Sequence, residues 1–471
     1  MRKIVIILVA LLFTLILNGQ VATNYKITAE FFPENAQLYN YPVSNKNFMR
    51  AYSQIKLEEL NSDSVEFYLH SELHIDSILL NKRKLEYKSE KILFNRNYNL
   101  TALKITFPNN SFPEGTEIEI YYSGFFNPSK VRSLSDYMRI NLEEGVFLRS
   151  YGYSVWFPVF KGSITRNALA NFESITVKTP SDFRCVVTGD LKSEKIENNI
   201  YTSVWEPGIE AIRDIQCTAQ RYKIETKGSI HVYYLTNKLN AQKILQFTEK
   251  LNGVFKSNLK KLNKENALYI LEMPEYGDIS SSNVIGLSDD TFNNFDNASY
   301  SKFTIAHELV HPYVKIDVAQ ENPFFALVIE GFPSFFQIYA MHKINSETDT
   351  KNIMLRVEKN YIKKRETGKN SRGNQLPSEK PILEIRANEI GLYKDNFILN
   401  DRVWLFLFDL WEKMGDEKFD VFLKKLFELN EINYPVFEEL VNEHINNYNK
   451  KLHIWLHTNE FPEDLRISKN Y

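Results

Sequence analysis

The feature that most constrains this sequence is the pentapeptide His-Glu-Leu-Val-His at residues 307–311, which is followed after eighteen residues by Glu330. Histidines four positions apart lie on one face of an α-helix, so the imidazoles of His307 and His311 can reach a single ion. A carboxylate from a second helix would complete a zinc site with two histidines, one glutamate and an open fourth position. The spacing therefore predicts two closely packed helices whose side chains converge on one Zn2+ per chain.

Glu308 is the candidate for chemistry at this site, because it lies one position from His307 and can meet a water on the ion. The alternative is a surface helix that carries two solvated histidines. The mostly apolar neighbours oppose this alternative, since buried imidazoles and carboxylates need a metal or a polar partner. Those neighbours are Phe303, Ile305, Ala306, Leu309 and Val310.

The composition is that of a globular protein, with 43% hydrophobic and 14% aromatic residues in a chain of 471. A chain of this length is expected to form about two to four domains. The formal net charge is -2, which gives no support to a nucleic-acid or anionic-membrane partner. Function is therefore expected to come from a defined site, and no oligomeric state is predicted.

The N-terminus has the pattern of a secretion signal. Arg2 and Lys3 precede an apolar run at residues 4–17, which fits a signal h-region and is shorter than a typical membrane-spanning helix. We predict a signal peptide at residues 1–20, cleavage between residues 20 and 23, and a secreted or periplasmic protein with no stable membrane span. An uncleaved N-terminal anchor is the alternative.

The sequence contains two cysteines, Cys185 and Cys217. Both lie in strand-like segments of one predicted domain, so in an exported protein they could form a disulfide. Two free buried thiols are the alternative, and the sequence does not decide between them. Neither cysteine adjoins a histidine-rich or second cysteine motif, so both are excluded from the predicted zinc site.

Residues 21–225 alternate apolar and polar side chains between turns rich in Pro, Gly, Asn and Asp. This pattern predicts an N-terminal antiparallel β-sandwich domain with one solvated face. The clearest strand candidates are residues 64–70, 103–107, 117–122 and 174–178.

From residue 226 the pattern changes to mixed strands and helices, and beyond Glu330 to helices alone. A basic, weakly periodic stretch at residues 359–380 is predicted to be an exposed loop or lid. The other predicted elements are strands at residues 229–235 and 267–271, a helix through apolar positions 244–262, and helices at 403–413, stopped by Gly415, and 419–429.

A β domain followed by a strand-helix-strand unit, His-Glu-x-x-His, eighteen residues and Glu-Gly-Phe resembles the aminopeptidase N family of gluzincin zinc metallopeptidases. Residues 306–311 and 330–336 look like that family's signature pair, and Trp-Phe-Pro-Val-Phe at 156–160 looks like its aromatic-Phe-Pro segment. The resemblance covers the whole mature chain. It implies a thermolysin-like catalytic domain at residues 226–471, with a small mixed sheet and a mostly helical lobe, in a short form without the family's C-terminal helical domain.

The resemblance implies a metallopeptidase in which His307, His311 and Glu330 hold zinc and Glu308 is the general base. The family also places an oxyanion-stabilising tyrosine roughly sixty residues past the third ligand, where this chain has Tyr393. The glycine of the family's Tyr-x-Lys-Gly is missing here, and counting back from Gly415 leads near Asn400 instead. A structural tyrosine is therefore the alternative at this position.

Aminopeptidases of this family carry Gly-Ala-Met-Glu-Asn on an edge strand, and its glutamate binds the free amine of a peptide substrate. The corresponding stretch here is residues 280–287, where Ser282 or Asn283 replaces the glutamate. Neither side chain can pair ionically with an ammonium group, so altered amine recognition is expected, with exo- or endo-cleavage left open. Backbone of this strand could still bind an extended peptide, and Glu272 or Glu275 could supply a displaced anion.

A binding or scaffold protein that retains zinc without turnover is the second hypothesis. The replaced glutamate and the uncertain tyrosine support it. Glu308 opposes it, because a structural zinc site needs no general base and usually has four protein ligands.

Overall fold

The computed structural model describes most of the chain, and its contacts divide it into two compact units, Met1–Tyr222 and Lys223–Tyr471. The predicted signal peptide lies outside the described residues. No helix in the described part is long and apolar enough to cross a membrane. The described residues are 24–33, 45–57, 64–95, 100–108, 115–125, 138–149, 155–160, 169–258, 267–274, 277–296, 299–311, 313–314, 316, 318–319, 321–344, 350–370, 373–394 and 398–462.

The N-terminal unit is built from β-strands, with short 3₁₀ turns at Asn45–Asn47 and Ile212–Asp214. Every second side chain is buried along most of the first strand and much of the twelfth, which is the burial pattern expected from the alternating sequence. The strands are β1 (Asn24–Phe31), β2 (Phe48–Lys56), β3 (Ser64–His70), β4 (Leu73–Leu80), β5 (Arg83–Lys84), β6 (Lys88–Asn95), β7 (Leu100–Pro108), β8 (Glu117–Phe125), β9 (Met138–Asn141), β10 (Gly145–Arg149), β11 (Val159–Phe160), β12 (Leu169–Pro180), β13 (Arg184–Val187), β14 (Asp190–Glu197), β15 (Ile200–Glu206), β16 (Gly208–Ala211) and β17 (Gln216–Gln220).

These strands form three sheets among the described residues. The largest has the order β14-β15-β12-β1-β2-β8-β4-β5, with β16 beside β12. The other two have the orders β13-β17-β10-β9 and β11-β3-β7-β6. Strands β1 and β12 run parallel, and the remaining described pairs of this unit run antiparallel. The predicted β domain is therefore confirmed in its strand content, while the parallel pair and the third sheet were not predicted.

The Trp-Phe-Pro-Val-Phe segment lies in the core of this unit. Trp156 and Phe157 are fully buried, and Trp156 Nε1 donates to the carbonyl oxygen of Ile215 at 3.2 Å. The ring of Phe157 meets those of Tyr25 and Phe172 at centroid distances of 5.8 and 5.6 Å. Edge-to-face contacts of this kind add to the hydrophobic gain of burial. The segment therefore serves the packing of the β domain.

The two cysteines lie on neighbouring strands but not opposite each other. Cys185 on β13 is paired with Ala219, and Cys217 on β17 is paired with Val187. Both thiols are fully buried and free, with the sulfur atoms 3.9 Å apart, and burial raises the pKa of the Cys217 thiol. Diagonal neighbours on a sheet have Cα atoms roughly 7–8 Å apart, beyond the span that a disulfide prefers.

We therefore expect the purified protein to keep two reduced cysteines. Titration with a chromogenic disulfide reagent should detect almost no thiol in the native state and two thiols per chain after unfolding without reductant. Burial and the raised pKa both suppress the thiolate that such a reagent needs. If two thiols appeared only after a reductant was added, the cysteines would be bridged instead.

The C-terminal unit combines one sheet with helices in its described part. The sheet has the order β18-β19-β20-β22-β21, in which β19, β20 and β22 run parallel and the edge strands β18 and β21 run antiparallel to their neighbours. Its strands are β18 (Lys223–Lys227), β19 (Ile230–Tyr234), β20 (Leu268–Met273), β21 (Ile279–Ser281) and β22 (Val284–Ser288). Its helices are α1 (Lys238–Asn258), α2 (Asp289–Asn293), α3 (Ser299–Val310), α4 (Phe332–Ile344), α5 (Thr350–Thr367), α6 (Ile390–Lys394), α7 (Val403–Met414), α8 (Asp416–Glu428), α9 (Tyr434–Asn442) and α10 (Asn449–His457), with 3₁₀ turns at Ile382–Glu384 and Ala387–Glu389.

The predicted loop at residues 359–380 is wrong in its first part, because α5 continues to Thr367. Met354, Val357 and Tyr361 are buried at helical spacing and fix one face of α5 to the core. The exposed faces of the same helix carry the basic residues that weakened the apolar period. From Gly368 to Lys380 the described residues form extended segments and turns, as predicted.

Candidate metal centre

The first two candidate residues lie on a buried helix. Ile305, Ala306, Leu309 and Val310 of α3 are fully buried in the core of the C-terminal unit, which fixes the direction of the remaining face. His307 and Glu308 are themselves only 8% and 7% exposed. The helix ends at Val310, directly before His311, and the proline that follows it lies outside the described residues.

Glu330 lies in a π-helical turn, Leu327–Gly331, that leads directly into α4. The N–H of Phe332 donates to the carbonyl of Leu327, five residues back, so the turn is one residue wider than in an α-helix. Pro333 explains this widening, because it has no N–H to donate and its ring would collide with the carbonyl four residues back. Such turns are frequent at functional sites, and here one sets the direction of the Glu330 carboxylate.

The side chains of His307, His311 and Glu330 converge. The two Nε2 atoms lie 3.2 Å apart, Nε2 of His307 lies 3.6 Å from Oε2 of Glu330, and one donor atom from each residue fits within 4.8 Å of the other two. Tetrahedral zinc with bonds of about 2.0–2.2 Å separates its ligand atoms by roughly 3.3–3.5 Å. The separations of 3.2 and 3.6 Å are close to these values, so the three side chains form a group that could hold a metal ion.

Glu308 directly follows His307 in the sequence and is not part of the converging donor group. Among the described residues, the converging group contains three donors, which leaves one position of a tetrahedral site for water or substrate. A carboxylate beside the site but outside the ligand set can accept a proton without giving up a metal bond. This arrangement favours a reactive site over a closed structural one.

A second π-helical turn, Ile398–Arg402, contacts the turn that holds Glu330. It is held on two sides by ion pairs, Lys364 with Asp401 and Arg402 with Glu379. Arg402 is fully buried and also donates to backbone carbonyls at the end of α10. Burial raises the pKa of the Asp401 carboxyl, and the Lys364 ammonium opposes that shift. Sequence analysis missed this turn, although it directly precedes the correctly predicted helix α7.

Tyr393 is placed on the short helix α6 with its side chain buried. Its hydroxyl donates to the carbonyl oxygen of Ser378 at 3.0 Å, and burial raises the pKa of that hydroxyl. To bind an oxyanion the hydroxyl would first have to leave this acceptor. The contact favours the structural alternative for Tyr393.

Ser282 and Asn283 form the two-residue turn between β21 and β22, and Ser282 has a left-handed φ of 50°. Nδ2 of Asn283 donates to the carbonyl of Ala267 at 2.7 Å. The edge strand lies just before these residues, with Ser280 at its centre. The predicted substrate-binding residues Ser282 and Asn283 therefore lie in the turn that follows the edge strand.

Of the two alternative anions, Glu272 is already engaged in hydrogen bonds. Oε2 of Glu272 accepts from the backbone N–H of Leu235 at 2.7 Å, and Oε1 accepts from Asn293 Nδ2 at 3.4 Å. Glu272 is buried, so this carboxylate stabilises the ends of the central strands. Glu275 lies outside the described residues.

Solved structures share this fold over nearly the whole chain. The M1 zinc metallopeptidase from Deinococcus radiodurans matches with a TM-score of 0.64 and 12% identity, over 94% of this chain and 96% of that one. A mutant of that enzyme bound to a Tyr-Ser-Ala substrate gives a TM-score of 0.62 at 12% identity, over the same shares of the two chains. Native yeast LTA4 hydrolase gives 0.62 at 15% identity, over 94% of this chain and 69% of that one.

At these identities the similarity establishes the fold. No protein-family model and no curated protein sequence matches this chain. Any assignment of activity therefore depends on the side chains of the site itself.

Proposed function

We propose that this protein is a zinc-dependent metallopeptidase of aminopeptidase N type with altered recognition of the substrate's N-terminal amine. The observation that carries the proposal is the convergence of His307, His311 and Glu330, with Glu308 directly after His307 in the sequence and outside the converging group. The shared fold of the M1 zinc metallopeptidases supports it. From the sequence of residues 1–20 we also propose that the protein acts in the periplasm or outside the cell.

Zinc held by these three side chains would supply a Lewis acid that polarises the scissile carbonyl and acidifies water. Glu308 takes a proton from the attacking water as the water oxygen bonds to the carbonyl carbon. Glu308 then gives that proton to the amide nitrogen as the carbon–nitrogen bond breaks. One water is consumed, and the products are a carboxylic acid and an amine.

Strand β21 is the proposed binding element for peptide backbone. It forms the edge of the sheet, and α3 contacts both β21 and β22, which brings the edge close to the helix of His307. Ser281 and Val284 are paired across the two-residue turn, and among the described strands β21 has a neighbour on one side only, β22. An extended peptide can add as a further strand along this edge.

The side chains of β21 explain why the N-terminal amine of a substrate would not be bound through an ion pair. The strand consists of Ile279, Ser280 and Ser281, none of which is acidic. A charged hydrogen bond contributes about 1.5–3 kcal/mol, which corresponds to roughly 10- to 150-fold in affinity. Without that contribution, the kcat/KM values of substrates with and without a free amine should differ little.

We expect zinc-loaded protein to cleave members of a broad peptide library, and to cleave free and N-acetylated forms of one peptide with kcat/KM values within about 3-fold. Matched peptide pairs followed by mass spectrometry measure both points. An unrelated aminopeptidase that requires a free amine serves as the control. Cleavage confined to free-amine peptides would contradict the altered recognition, and cleavage of no library member would contradict the peptidase proposal.

A zinc-retaining scaffold is the second candidate. The bonded Tyr393 hydroxyl and the absence of an acidic residue on β21 favour it. The two candidates separate on Glu308, because a scaffold would keep its biological role when this carboxylate becomes an amide.

A further inference from the structure

Two residues that closely follow Glu330, Gly331 and Ser334, contact the segment at the start of α7. Gly331 meets Val403, and Ser334 meets Asn400 of the second π-helical turn. A Cβ added at Gly331 would lie 2.8 Å from Leu327 Cδ1 and 3.3 Å from Val403 Cγ1, so the glycine permits a close approach of Val403. Three residues before Val403, Oδ1 of Asn400 lies 2.7 Å from the hydroxyl oxygen of Ser334. These contacts flank Glu330 on its C-terminal side.

The hydrogen bonds of Ser334 fix the orientation of the Asn400 amide. Nε1 of Trp404 donates to the Ser334 hydroxyl at 2.8 Å, and an indole N–H can only donate. The hydroxyl hydrogen of Ser334 is therefore available for the oxygen of Asn400. With its oxygen directed to Ser334, the amide presents its two N–H groups on the opposite side, and among the described residues none accepts from them.

Ser334 relates this amide to the metal centre. It lies four residues after Glu330, in the first turn of α4, which directly follows the π-helical turn that holds Glu330. Asn400 is partly exposed, whereas Leu399 and Arg402 on either side of it are buried. The amide thus lies one hydrogen bond from the helix that follows Glu330, on the partly exposed side of the second π-helical turn.

The amide is also rigidly held. The ion pairs of Asp401 and Arg402, the next two residues, fix the backbone that carries it. Hydrogen-bond donors that are oriented before reaction stabilise developing charge without reorganising, and an asparagine amide can be such a donor.

We propose that Asn400 is a catalytic residue whose Nδ2 donates to the oxyanion that develops on the scissile carbonyl, the role that sequence comparison gave to Tyr393. This inference rests on the proposed peptidase function. The amide carries no charge, so its contribution does not depend on a titration of its own.

The test compares Asn400→Ala and Asn400→Asp with wild type in zinc-loaded protein. The aspartate keeps an oxygen for Ser334 and removes the donor, so it distinguishes lost catalysis from lost folding. We expect kcat to fall about 10²- to 10³-fold in both variants, with KM changed by less than about 3-fold. Asn449→Ala, which removes an exposed amide from α10, is the matched control and should behave as wild type.

The affinity for an inhibitor that is not cleaved can be measured without any catalytic turnover. A phosphinic pseudopeptide, whose tetrahedral group mimics the oxyanion, should bind the Asn400 variants about 10²-fold more weakly by calorimetry. Uncleaved substrate should bind Glu308→Gln and the Glu308→Gln/Asn400→Ala double variant equally. Zinc content and melting temperature should match wild type.

If wild type is active and both Asn400 variants keep its kcat and its pseudopeptide affinity, the role of Asn400 is overturned. The proposed peptidase function would still stand. A comparable loss in Tyr393→Phe, with Asn400→Ala unaffected, would return the role to Tyr393. A wild type that hydrolyses no peptide would overturn the proposed function and this inference together.

Discussion

Glu308→Gln is expected to reduce kcat/KM for peptide hydrolysis by on the order of 10³- to 10⁴-fold and to leave about one zinc per chain, within the range of general base catalysis. Glutamine keeps the size of the side chain and cannot accept the proton of the attacking water. Zinc content should not change, because Glu308 is not one of the converging donors. Peptide kinetics together with metal analysis by mass spectrometry measure both quantities.

Glu321→Gln is the control for this substitution, since Glu321 is an exposed carboxylate between the two helices of the site. It should retain wild-type kinetics. If Glu308→Gln retained more than about a tenth of wild-type activity, the carboxylate would not be the general base, because such a base contributes at least about 10²-fold.

His311→Ala is expected to weaken zinc binding by more than about 100-fold, the size of effect already reached by removing an outer-shell partner of a ligand. The substitution removes one of three donors and leaves His307 and Glu330 as an incomplete set. Hydrolysis should become undetectable at zinc concentrations that saturate wild type. Competition with a fluorescent chelator measures the affinity.

Thermal unfolding gives a second measurement of the same variant. A ligand that binds only the folded state stabilises it by about 2.7 kcal/mol at 100 times its Kd. The melting temperature of wild type should therefore rise with zinc, and that of His311→Ala should not. His453→Ala removes an exposed imidazole from α10 and should respond to zinc as wild type does. Equal zinc affinity in His311→Ala and wild type would remove His311 from the site.

The convergence of the histidines could be predicted from sequence, because they are four residues apart and His311 directly follows the last residue of α3. The contribution of Glu330 could be predicted in position but not in conformation. Its π-helical turn depends on how Pro333 is accommodated in a packed helix, and the apolar pattern of the sequence does not record that detail.

Two counts along the chain gave different candidates for the oxyanion-stabilising residue, Tyr393 and a position near Asn400. The count from Glu330 crosses loops whose lengths can vary freely between proteins of one fold. The count back from Gly415 runs along α7, in which every residue has a fixed rise, and leads near Asn400 in the turn that precedes this helix. The contact of Asn400 with Ser334 could be found only in three dimensions, since 66 residues separate them.

The edge strand β21 is a second place where the sequence did not give the position of a residue. Its register depends on a left-handed Ser282, a conformation that serine adopts less readily than glycine or asparagine. Alignment with the family's Gly-Ala-Met-Glu-Asn segment gave Ser282 or Asn283 as the binding position, and the structure places both in the turn, two or three residues beyond Ser280.

Anomalous diffraction at the zinc absorption edge, from crystals of zinc-loaded protein, tests the central claim most directly. We predict one strong peak about 2.0–2.2 Å from Nε2 of His307, Nε2 of His311 and a carboxylate oxygen of Glu330. A peak bound by other residues, or no peak at this position in protein that contains zinc, would contradict the account.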